Sequence, residues 1–149
     1  MSAKKGFTLI ELMVVISIIG ILSVMGYASY TQVQKIARDG KRIADIQEIQ
    51  KALEQYFATN ANAYPASLTS INNTNYFPNG TSPIDPTNGA PYTYSYVYQG
   101  GSCTSQKYVL CARLEVPGSK ANSDIIPADA CASLTSAAPL YYCVKSISN

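Results

Sequence analysis

The sequence contains no histidine and no tryptophan, and only 13% of its 149 residues are charged. Without histidine the chain lacks the commonest general base and metal ligand, so hydrolytic and metal-assisted chemistry lose their usual carriers. No C-x-x-C pair occurs, and with no histidine to accompany the cysteines the zinc spacings are missing too. Ser, Lys and Asp are present, but in no nucleophile–base constellation, and the chain reads as something other than an enzyme. A formal charge of +2 is too small to argue for nucleic acid as a partner. There is no proline before Pro65 and no cysteine before Cys103.

The longest absence is of charge. From Leu12 to Gln34 no residue is ionisable at neutral pH, and Lys35 is the first charge to return. As an α-helix rising 1.5 Å per residue, that stretch reaches ~35 Å, enough to cross a hydrocarbon core of ~30 Å. Glu11 stands at its beginning, after the basic pair Lys4-Lys5. An ionisable group inside a membrane span is by default a functional group awaiting a partner.

The run Lys4-Lys5-Gly6-Phe7-Thr8-Leu9-Ile10-Glu11-Leu12 resembles the class III signal of type IV pilins and type II secretion pseudopilins. The resemblance implies a basic leader and a prepilin peptidase cutting between Gly6 and Phe7. It also implies N-methylation of the new N-terminus. Glu11 matches the family's acidic residue at the fifth mature position, which neutralises a neighbouring subunit's N-terminal amine, here that of Phe7, during filament assembly. Further implied partners are copies of the chain in a helical filament, an inner-membrane assembly platform and its ATPase. The precursor is expected as a single-pass protein of the cytoplasmic membrane, with its C-terminal domain outside, and the product as a cell-surface or periplasmic filament. An ordinary secretory signal fits less well. The apolar run exceeds the usual h-region, Glu11 interrupts it, and no clear A-x-A site follows it.

Beyond Val33 the pattern changes. Val33, Ile36, Ala37, Ile43, Ala44, Ile46, Ile49, Leu53, Tyr56 and Phe57 recur at three- and four-residue steps, separated by charged residues. This predicts an amphipathic helix with one stripe free to pack on a sheet. Asp39 with Arg42, and Glu48 with Lys51, read as i,i+3 pairs on a solvated face. Gly20, Gly26 and Gly40 weaken the helix or permit close helix packing.

From Thr59 to Pro91 asparagine, proline and glycine dominate, the texture of a long surface loop. Ala66 to Ile71 suggests one helical turn within it. Asp85-Pro86-Thr87-Asn88-Gly89-Ala90-Pro91-Tyr92-Thr93-Tyr94 is similar to the turn that leads into the first strand of major pseudopilins and G-type pilins. In pseudopilins a later acidic loop binds calcium. Here Asp124 and Asp129 are the only acids in that region, against a need for roughly six to eight oxygen ligands, so no cofactor is expected.

Three strands are expected at Tyr92–Tyr98, Tyr108–Glu115 and Leu140–Ile147, the first two joined through Gly100-Gly101. Tyr92, Tyr94, Tyr96 and Tyr98 share one side of their strand and are expected to cover the amphipathic helix. An even count of four cysteines in an exported domain reads as two disulfides. If the second and third strands are neighbours, Cys111–Cys143 is a cross-strand bridge and Cys103–Cys131 joins two loops. Sequential pairing, Cys103–Cys111 with Cys131–Cys143, is the other arrangement.

The expected architecture is α+β: a long N-terminal helix, transmembrane in its first half and amphipathic in its second, packed on a small antiparallel sheet. The expected divisions are a leader at 1–6, a filament-core helix at 7–33, an amphipathic helix at 34–58 and a globular loop-and-sheet domain at 59–149. The expected function is that of a structural filament subunit. The alternatives are a major pseudopilin of a type II secretion system, or a minor or DNA-uptake pilin acting as a binding module.

Overall fold

The computed structural model describes residues 6–99, 107–116, 118, 120–123, 126, 130–131 and 140–147. The chain divides into two compact units, Met1–Lys35 and Ile36–Asn149. One helix, α1 (Leu9–Thr59), contributes to both. It is long and apolar enough to cross a membrane. In the first unit its apolar side chains are exposed, from Leu9 and Leu12 through Ile16 and Leu22 to Val33. A contiguous surface of that kind needs lipid or protein to cover it.

The C-terminus of α1 satisfies its orphan carbonyls locally. Asn60 Nδ2 donates to the Tyr56 carbonyl at 2.9 Å and the Asn62 amide to the Phe57 carbonyl at 3.2 Å. Ala61 and Asn62 then take left-handed φ values of 53° and 57° and turn the chain away.

In the second unit α1 buries Ile46, Ile49, Ala52 and Leu53 against Tyr64, Ile71, Phe77, Tyr108, Leu110 and Ala112. Each fully buried aliphatic side chain there contributes roughly 1.5–3 kcal/mol of hydrophobic stabilisation. The sheet has three antiparallel strands in the order β1 (Ser95–Tyr98), β2 (Tyr108–Arg113) and β3 (Tyr141–Lys145). Leu110 and Ala112 face the helix, while Val109 and Cys111 form a second cluster with Cys143 and Ala130. The architecture is therefore α+β and pilin-like, as expected.

All three strands are shorter than the sequence suggests, and the reasons are local. The Asn88-Gly89 turn closes with Tyr92 N–H on the Gly89 carbonyl at 2.7 Å, so Tyr92 joins only an isolated bridge. At the end of β2 the Glu115 and Val116 amides donate to the Asp39 carboxylate at 2.9–3.1 Å instead of extending the ladder. Beyond β3 the Ile147 amide turns to Glu54 Oε1. The helical turn in the loop is a 3-10 segment, Leu68–Ile71, with the Ser67 side chain accepting from the Thr69 amide.

Tyr94, Tyr96 and Tyr98 pack against the helix-facing core. Tyr92 does not share that role: its ring lies under the Arg42 guanidinium, 4.6 Å from Cζ. The outer edge of β3 is covered by a backbone bridge from Ser123 to Tyr141 and by the Asn122 side chain. Asn122 Nδ2 donates to the Cys143 carbonyl at 2.8 Å and its Oδ1 accepts the Cys143 amide at 2.7 Å. The amide thus stands in for a neighbouring strand and blocks edge pairing.

Candidate functional site

Two constellations stand out, one in each unit. In the first, Thr8 and Glu11 build a reciprocal cap on α1. Glu11 Oε2 accepts the Thr8 amide and the Thr8 hydroxyl, both at 2.8 Å, and the Glu11 amide donates to Thr8 Oγ1 at 3.3 Å. This is a Thr-x-x-Glu capping box, in which side chain and backbone satisfy each other's orphan donors. A carboxylate in the first turn also complements the positive end of the helix dipole. Among the described residues, Glu11 Oε1 has no hydrogen-bond partner. Phe7, Ile10, Glu11, Val14 and Val15 line an apolar groove of about 360 Å³. Gly6 and Phe7 precede the helix and are exposed.

The second constellation centres on Arg42, which is fully buried. A guanidinium has five N–H donors, and all of them are engaged. Nε and Nη2 reach the two Asp85 oxygens at 2.7 and 3.2 Å, and Nη2 also reaches Thr87 Oγ1 at 3.0 Å. Nη1 donates to Asp39 Oδ1 at 2.7 Å and Glu115 Oε1 at 2.8 Å. Arg38 completes the cluster with a fork onto both Glu115 oxygens at 2.7 and 2.6 Å. Helix, Asp85 turn and the end of β2 are thereby fastened at one point. This corrects the expectation that Asp39 and Arg42 form a solvated pair. Both are buried, because Asp85 and Glu115 bring matching charge from distant parts of the chain. Glu48 and Lys51 are exposed.

The electrostatics follow from the geometry. Loss of water opposes the Arg42 charge, yet the hydrogen bonds it donates to Asp85, Glu115 and Asp39 outweigh it and raise the guanidinium pKa. Burial likewise opposes the Asp85 charge, and Arg42 with the Thr87 amide overcomes it, so the carboxyl is held below its usual range. The Arg38 fork, aided by Arg42, brings Glu115 down to about 2 against the desolvation it suffers. With every Arg42 donor spent on acceptors from three parts of the chain, this cluster holds structure.

Glu54 organises the far end of the helix. It accepts the Tyr64 hydroxyl at 2.7 Å, the Tyr108 hydroxyl at 3.0 Å and the Ile147 amide at 3.2 Å. Cys111 and Cys143 lie directly opposite in the β2–β3 register and form a disulfide, with Cα atoms 4.1 Å apart. Cys131 is disulfide-bonded. Cys103 lies outside the described residues, as do Asp124 and Asp129, and so does the Cys103–Cys131 pairing. Among the described residues no group of acids, cysteines or histidines is arranged to hold a metal ion.

Residues 1–27 match the family model described as the prokaryotic N-terminal methylation motif. The chain carries the N-terminus characteristic of type IV pilins and pseudopilins. No solved structure matches the chain. The methylation motif takes in Gly6, Phe7 and Glu11 and supports a pilin-like or pseudopilin precursor. Proteins of this motif are structural rather than catalytic, and the motif implies prepilin peptidase processing and pilus assembly in general. The apolar helix that follows fits a membrane-anchored precursor.

Sequence reasoning missed two features here. The Thr8–Glu11 cap was available from the Thr-x-x-Glu spacing alone. The Arg42 cluster had only a partial signal, an Asp–Arg pair at i,i+3 and an aspartate opening a distant turn.

Proposed function

We propose that the chain is the structural subunit of a type IV pilus-like filament. Prepilin peptidase cuts between Gly6 and Phe7, and the mature chain assembles through the first half of α1. The observation that carries this reading is the cap at Glu11. One carboxylate oxygen is fixed by Thr8 while the other has no partner among the described residues, on a helix whose apolar side chains are exposed from Leu9 to Val33. Cleavage exposes the Phe7 amine. In the low dielectric of packed helices, a neighbour's Phe7 amine pairs with Glu11 Oε1, and either charge left alone would be strongly unfavourable. The pair therefore fixes axial register between subunits.

The experiment is a comparison of Glu11→Gln with Glu11→Ala in the native cell. Glutamine keeps the capping geometry but removes the charge, and alanine removes both. Both precursors should be exported and processed, and neither should give ordered filaments. Normal filaments from Glu11→Gln would refute a role for the charge.

A second reading, the major pseudopilin of a type II secretion system, draws on the Asp85–Tyr94 turn. Its Asp85, Tyr92 and Tyr94 all engage α1, through Arg42 and Asp45. Deletion of the gene would then abolish secretion of folded exoproteins rather than surface filaments.

A further inference from the structure

We propose that Asn88 is a site of spontaneous deamidation, placed within the turn that Arg42 fastens. Two Asn-Gly pairs with exposed asparagines and half-buried glycines occur in the folded head, Asn79-Gly80 and Asn88-Gly89. Glycine has no Cβ, so the nitrogen following each asparagine is sterically open to attack the side-chain amide. The two pairs differ in what holds that nitrogen. Gly80 N–H is committed to the Phe77 carbonyl at 2.8 Å. Gly89 pairs with Tyr92 in an antiparallel bridge, but among the described residues its N–H makes no backbone hydrogen bond as close as that of Gly80.

The step balances without any cofactor. The Gly89 nitrogen gives up its proton and attacks Asn88 Cγ. A C–N bond forms, the Cγ–Nδ2 bond breaks, and Nδ2 leaves as ammonia carrying that proton. Water then opens the five-membered imide at one of its two carbonyls. One opening gives aspartate; the other gives isoaspartate, with Cβ drawn into the main chain. No electrons are exchanged, and water is the co-reactant.

The position gives the modification a consequence. Asn88 has a left-handed φ of 44° and its amide donates to Asp85, which Arg42 grips. On the other side the Gly89 carbonyl accepts Tyr92 N–H at 2.7 Å, and Tyr92 lies under Arg42. Isoaspartate would lengthen the backbone between those two anchors. Either product adds a negative charge to a turn whose anchor, Arg42, already has its five donors used. Ageing of the protein would thus loosen the turn at its point of attachment.

The test uses the purified full chain in detergent micelles, held in warm, mildly alkaline buffer and analysed over time by peptide mapping. In the folded protein Asn88 should convert to aspartate and isoaspartate several-fold faster than Asn79, and the two rates should converge in urea. Gly89→Ala should slow conversion at Asn88 alone. That substitution fits, since an added Cβ would meet nothing nearer than the Thr87 carbonyl at 3.8 Å. Conversion of Asn79 as fast as Asn88 in the folded chain would overturn the proposal. So would an Asn88 rate unchanged by Gly89→Ala.

Discussion

Arg42 grips Asp85 across 43 residues of sequence, with Nε and Nη2 on the two carboxylate oxygens at 2.7 and 3.2 Å. A bidentate fork of this kind fixes direction as well as distance. It ties the turn before β1 to the middle of α1. Because Asp39 holds the amides of Glu115 and Val116, the same cluster also sets where β2 stops.

Breaking this fork should be severe. Arg42→Met leaves Asp39 and Asp85 buried without their cation, and removal of one partner from a buried pair costs about 3–5 kcal/mol. Chemical denaturation should show that loss. The double variant Arg42→Met/Asp85→Leu should lose less than the sum of its two single changes, because the residues are in direct contact. Strict additivity would mean the two side chains act independently.

Acid should weaken the same cluster in a defined window. The Glu115 carboxyl titrates near 2 in the folded protein against an ordinary 4.5. A depressed folded pKa gives stability that is complete above the unfolded value and is lost as pH falls through the folded one. Stability should therefore decline between about pH 4.5 and pH 2. Glu115→Gln should flatten that decline by roughly 1–2 kcal/mol, allowing for solvent around the Arg38 partner. Denaturation midpoints across this range provide the measurement.

At the alkaline end the tyrosines govern. Burial raises Tyr108, Tyr96 and Tyr94 well above the usual 10.0, with Glu54 adding to the effect on Tyr108 and Asp45 on Tyr94. A raised folded pKa gives stability that is present below the unfolded value and lost as pH rises beyond it. Phenolate absorbance of the folded protein should stay incomplete above pH 10 and rise to completion together with unfolding. Full ionisation with native circular dichroism would show these hydroxyls to be accessible.

The Cys111–Cys143 bridge should resist reduction in the folded state, since both residues are at most 2% exposed. It closes a span of 32 residues, which on the chain-entropy estimate contributes about 3–4 kcal/mol. Cys111→Ala/Cys143→Ala should lower stability by that order in thermal or urea unfolding. Thiol trapping after mild reductant should label neither cysteine unless denaturant is added.

The sequence revealed what periodicity and spacing encode. The uncharged run after Glu11 and the stripe through Ile46, Ile49 and Leu53 announce one helix with two characters. Alternation around Leu110 and Ala112 places the helix-facing side of β2 and turns Cys111 to the other. What it could not reveal depends on residues far apart meeting in space. Asp39 and Arg42 look like a surface pair until Asp85 and Glu115 arrive from elsewhere in the chain. The strand ends are set by capture of the Glu115 and Ile147 amides by side chains of α1, which no local pattern records. Tyr92 leaves its expected neighbours for the same reason, drawn to a cation that is buried only in the folded protein.

The most direct test is the mass and N-terminal sequence of the protein recovered from its native cell. The chain should begin at Phe7, with the mass of one added methyl group on its amine, and should retain the helix that follows. Recovery of a chain that still starts at Met1, or one that has lost Leu9 to Val33, would contradict the account.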